Sequence, residues 1–160
     1  MSGLNVEAKE LAGMIEKQVE LSGKLMQAIE KAKSEDLPKL GRTPNAAVML
    51  AGLIENYYTC LETAYLKISQ HFENHLEPSR WHAALLEKMT IRIEGVRIPA
   101  VSDAAYGPLL ELQRFRHFKR YHFDLEYDWD RMDFLLKKVA DAHPLVCRDL
   151  QKFMSFLESL

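Results

Sequence analysis

Apolar residues recur along most of this chain at three- and four-residue steps, the spacing of one face of a helix. Leu11, Met14, Ile15, Val19, Leu25, Met26 and Ile29 predict a first helix over roughly residues 5–33. Ser22-Gly23 is a soft spot in it rather than a break. A polar linker is expected over 34–43. Thr43-Pro44 then reads as an N-cap followed by a proline in the first turn. The second helix, to about residue 75, carries Ala47, Leu50, Leu53, Ile54, Tyr57, Leu61, Ala64, Tyr65, Ile68 and Phe72. That stripe is wide enough for two neighbours.

Pro78-Ser79 opens a shorter helix over 80–90, with Trp81, Leu85, Leu86 and Met89. Ile91–Val101 alone has strand-like alternation, and a single short segment without a partner reads as an extended connection. Ser102 or Asp103 caps a helix from about residue 104. Asp128 or Asp130 begins a last pair of segments, 129–142 and 144–160, parted by a kink or short break at Pro144. These elements predict an all-α, up-and-down bundle of about five helices in one domain over 1–160, with no significant β-sheet.

Composition narrows the function. The 160 residues are 48% hydrophobic and 28% charged, enough for a real core. A net charge of −2 leaves polyanion binding to a local patch. Cys60 and Cys147 make no disulfide framework or zinc spacing, so no metal or cofactor is expected. No stretch approaches a membrane span, and the N-terminal MSGLNVEAKEL has no signal-like apolar region, so a cytoplasmic protein is expected.

The chemistry concentrates in RFRHFKRYH, Arg114–His122. Arg114, Arg116, Lys119 and Arg120 stand among Phe115, Phe118 and Tyr121, with His117 and His122. Guanidinium forks match phosphate oxygens, rings offer stacking faces, and imidazoles exchange protons near neutral pH. Those are the parts for RNA backbone cleavage without a metal. On a helix Arg116 and Arg120 share a face, while His122 falls between Phe115 and Phe118. Three arrangements stay open: a distorted helix near His122, a site assembled across a dimer, or a core histidine. A blander reading also stands, in which the cations pair with Asp124, Glu126, Asp128 and Asp130.

The run resembles the motif of HEPN-domain proteins, in particular the HepT-like toxins, where an arginine and a polar residue precede a histidine. Here Arg116, His117 and His122 fill those places. LIENYYTCLETAYLKISQHFEN, SRWHAALLEKM, LLELQRFRHF and the Leu-rich last helix resemble successive helices of that branch, over residues 45–160. The resemblance implies a helical homodimer with motifs facing across a cleft and a metal-independent endoribonuclease. In that reading Arg116, His122 and His117 are catalytic, and Arg120, Arg114 and Lys119 bind RNA phosphate. It also implies a nucleotidyltransferase-type antitoxin as partner. The alternative within the same fold is a non-catalytic, dimeric binding subunit. Two departures stand out: Tyr121 occupies the family's more usual histidine position, and Phe123 replaces a tyrosine that some antitoxins modify. Tyr121 or Tyr127 would have to substitute for it.

Other groupings are weaker. His71 and His75 lie four apart, but Glu73 between them faces away, so HFENH is no metal site. His82 beside Trp81 reads as an anchor for its short helix, and Tyr57 and Tyr58 as core or interface. Neither Cys60 nor Cys147 has a basic or histidine neighbour that activates it. Glu55, Glu62 and Glu73 do not match a di-iron set.

Overall fold

The computed structural model describes residues 3–73, 81–121 and 127–160. Six helices follow in order: α1 (Gly3–Lys31), α2 (Leu37–Leu40), α3 (Pro44–Phe72), α4 (Trp81–Met89), α5 (Asp103–Tyr121) and α6 (Trp129–Glu158). The architecture is an all-α bundle. The only β pairing among the described residues is one antiparallel bridge, Ile93 with Arg97, inside the connection read from the sequence as extended.

Three expectations change. Most of the predicted linker over 34–43 is helical: a π-helical turn, Ala32–Asp36, joins α1 to the single turn of α2. There Leu37 N–H reaches back to Ala32, and Ala32 and Leu37 rest on the core. One wide turn lets the chain continue while shifting its apolar face. It stops at Gly41, whose φ of 76° few side chains adopt. The second change is at Pro144, where α6 runs straight through as one helix. Pro144 is exposed, so the carbonyl it leaves without a donor lies on the wet side of the helix.

The third concerns α3. Its Thr43 cap forms as predicted, with the hydroxyl accepting from Ala46 N–H at 3.1 Å. Its buried surface, however, is far wider than a two-neighbour stripe. Buried residues run around the helix and include Ala46, Ala51, Tyr58, Cys60, Glu62 and Ser69 besides the expected apolar positions other than Leu53 and Phe72, which are partly buried. Accordingly α3 touches α1, α4, α5 and α6. Tyr57, Tyr58 and Tyr65 are fully buried, so both tyrosines of the Tyr57-Tyr58 pair belong to the core. Burial pushes all three phenols well above their ordinary range.

The connection from α4 to α5 is pinned by a buried arginine. Arg97 is 3% exposed. Its guanidinium donates to Glu73 at the end of α3 and to the carbonyls of Lys88, Ile91 and Ile98. Lys88 approaches the second Glu73 oxygen at 3.6 Å. Gly95, at φ 75°, makes the turn between Ile93 and Arg97. On the far side of the same connection Asp149 of α6 accepts from both the N–H and the hydroxyl of Ser102, at 2.8 and 2.7 Å. Ser102 in turn caps α5, and these two anchors set where α5 enters the bundle.

Replacing Arg97 with alanine leaves Glu73 with Lys88 alone and takes the donor from three carbonyls, and should cost about 3 kcal/mol of unfolding free energy, measurable by urea titration. Pro144→Ala should act oppositely. It restores a helix hydrogen bond, and a gain of about 1 kcal/mol is expected as a higher Tm, after allowing for the stiffness proline gives the unfolded chain.

Candidate functional site

The last two turns of α5 present the basic run to different surroundings, because successive residues on a helix point about 100° apart. Arg114 is exposed and meets Glu111 of its own helix at 3.3 Å. Phe115 is in the core, its ring 6.2 Å from that of Tyr127. Arg116 turns inward against α3. Its Nε donates to the Thr59 hydroxyl at 2.7 Å, and its Nη1 lies 3.5 Å from Glu62 Oε1. His117 and Phe118 are exposed. Lys119 reaches across Gly52 to Glu55 Oε2 at 2.7 Å. The side chain of Arg120 and all of His122 lie outside the described residues. The structure therefore brings Arg116 and His117 together and leaves the position of His122 open.

Of the acidic segment that follows the basic run, Asp124 and Glu126 lie outside the described residues. Arg116 and Lys119 choose Glu62 and Glu55, one helix away. The carboxylates weighed as a di-iron set thus have another role: Glu55 and Glu62 on α3, and Glu73 at its C-cap, each meet a cation from a neighbouring segment.

Sequence reasoning weighed Glu62 only for a metal set and gave it no place in the site. It is 4% exposed, on a helix otherwise lined with apolar and aromatic side chains. One oxygen faces Arg116 of α5, and the other sits 2.9 Å from Nδ1 of His82 on α4. His82 does anchor its helix, as expected, but through this carboxylate. Glu62, His82, Gln113, Arg116 and His117 line one narrow crevice where α3, α4 and α5 meet. A signal for it was present: Glu62 stands one residue after Leu61 and two before Ala64-Tyr65 in a stripe destined for burial. A carboxylate there requires partners.

A second polar cluster lies on the α6 side of α3. Tyr57 hydroxyl and His143 Nδ1 are 2.9 Å apart, and Cys147 Sγ is 3.7 Å from His143 Nε2. The sequence reading of Cys147 as lacking a histidine neighbour is corrected here, since His143 precedes it by one helical turn. Burial nonetheless raises the Cys147 thiol above its ordinary range. It pushes Cys60 up to about 12. Neither is an activated nucleophile. Among the described residues no group of three or more His, Cys, Asp or Glu side chains is placed to hold a metal ion. Nor is any helix there long and apolar enough to cross a membrane.

The model of a family of HepT-like proteins matches residues 49–157, from the first third of α3 to the end of α6. The chain belongs to the HepT-like family. No curated protein and no solved structure matches it significantly. The family match takes in α4, α5, the basic run and the Glu62 crevice of this HepT-like chain. It leaves out α1, which still packs on α3 and α6 and completes the core.

The second cluster generates a pH prediction. Burial lowers the His143 pKa below its ordinary value of 6.5, so the folded protein holds this imidazole neutral. The unfolded chain then takes up its proton first as pH falls, and the stability contributed by neutral His143 is lost below about pH 6.5. Between about pH 7 and 5 the fall in Tm should be shallower in His143→Gln than in the wild type, as read by thermal melts across that window.

Proposed function

We propose that this HepT-like chain is a metal-independent endoribonuclease, the toxin of a toxin–antitoxin pair, acting in the cytoplasm as a homodimer. What carries the reading is the placement of Arg116. It lies in the family-matched region, braced by Thr59 and Glu62, with the exposed His117 beside it and His122 five residues further on. A guanidinium held in place by neighbours is prepared to meet a phosphate without ordering cost at the moment of reaction.

In this mechanism Arg116 and Arg120 hold the scissile phosphate and stabilise the charge that develops on phosphorus, while Arg114 and Lys119 extend the positive surface. His122 and His117 carry the protons. One imidazole removes the proton of the 2′-hydroxyl as O2′ bonds to phosphorus. A protonated one supplies the proton to O5′ as the P–O5′ bond breaks. A 2′,3′-cyclic phosphate and a free 5′-hydroxyl result. The partner that restrains this activity is an antitoxin of nucleotidyltransferase type.

A second reading has its own observation. Arg116 and Lys119 are each already balanced by a carboxylate of α3, which lowers their call on a phosphate. That favours a dimeric subunit that binds a nucleotidyltransferase partner or a nucleotide without cutting RNA. Incubation of the purified protein with total RNA in EDTA separates the two. The ribonuclease reading expects cleavage that drops by about 10²-fold or more in Arg116→Lys and in His122→Ala. The lysine keeps a cation against Glu62 but loses the fork. Undiminished cleavage by both variants, or none by the wild type, would sink it.

A further inference from the structure

The Glu62–His82 pair has a geometry that a buried ion pair alone does not need. Its carboxylate divides its oxygens between two helices, Oε1 toward Arg116 at 3.5 Å and Oε2 toward His82 Nδ1 at 2.9 Å. A carboxylate accepts hydrogen bonds only. The imidazole therefore donates from Nδ1, and Nε2 becomes the nitrogen able to take up a proton. Glu62 is nearly fully buried, with a side chain 6% exposed, whereas the His82 side chain is 26% exposed. His82 lines the same crevice as Arg116 and the exposed His117. A fixed carboxylate behind, an oriented imidazole in front and a guanidinium alongside are the elements of an acid–base site.

We infer that His82, in place of one of the two histidines of the basic run, is the proton-accepting residue of the RNA-cleaving site, with Glu62 as its positioning residue; this rests on the ribonuclease reading in all else. His82 Nε2 accepts the 2′-hydroxyl proton as the O2′–P bond forms. The P–O5′ electron pair leaves with oxygen, which takes its proton from a protonated imidazole of the basic run. The single carboxylate of Glu62 would then set the base and Arg116 together, so that α4 and α5 present them at one spacing. The site consequently draws on α4 as well as on the basic run of α5.

The test is RNA cleavage in EDTA by the whole protein, with circular dichroism and Tm recorded for every variant. His82→Ala should lose about 10²-fold in kcat with KM little changed, and free imidazole should restore about tenfold of that loss. Adding Glu62→Gln to His82→Ala should weaken the restoration, because the carboxylate no longer orients the added base. His82→Asn covers the case in which alanine unfolds the protein. Its amide can still donate to Glu62 and hold α4, yet it cannot transfer a proton, so it should fold and be inactive. A folded His82→Asn that cleaves as the wild type does, or a loss in His82→Ala that imidazole leaves untouched, overturns the inference while the ribonuclease reading stands. A wild type that cuts no RNA overturns both.

Discussion

A helix buried on nearly every side cannot carry an unbalanced charge, and α3 is such a helix with glutamates along it. That constraint organises its neighbours. Glu55 is met by Lys119 from α5, Glu62 by Arg116 from α5 and His82 from α4, and Glu73 by Arg97 from the connection between them. These pairs add little net stability over apolar packing, since desolvation offsets much of their attraction. Their effect is on specificity. They select one rotation and one height for α4 and α5 against α3 where apolar contacts alone would tolerate several.

The same constraint shapes the basic run. Its cations are not a loose charged surface, because two of them have fixed addresses on α3 and a third pairs along its own helix. What remains outward at this end of α5 includes His117 and Phe118. An inward guanidinium beside an outward imidazole is a sensible division of labour. The cation is held by Thr59 and Glu62, and the imidazole stays exposed. The energetic consequence is that removing the charge of Arg116 leaves buried Glu62 short of a cation, whereas changing its shape at constant charge does not.

The bundle's other specialised features keep the site's scaffold stiff. Arg97 fills its guanidinium with Glu73 and three backbone carbonyls, so a connection of extended chain becomes as fixed as a helix. Asp149 holds the start of α5 from across the bundle, and the unbroken α6 gives Asp149, His143 and Cys147 a common frame. Buried polar groups held by several partners in this way add precision of placement to a core that is otherwise aliphatic and aromatic.

Period and capping residues by themselves determined much of this protein. The all-α class, the Thr43 cap, the extended stretch at 91–101 and the start of α5 all follow from local spacing and side-chain type. These are decided by neighbours within a turn or two, which a sequence displays directly. What tertiary structure decided is how far α3 sinks into the bundle, and with it the fate of every charge near it. Glu62 looks the same in sequence whether it faces water or a core, and only the packing of α4 and α5 turned it into a shared anchor for His82 and Arg116. Pro144 likewise reads as a break until its exposure shows that the lost hydrogen bond costs little. Long-range burial sets the energy of a charge or an unmet carbonyl, and burial is a property of the assembled helices rather than of any one segment.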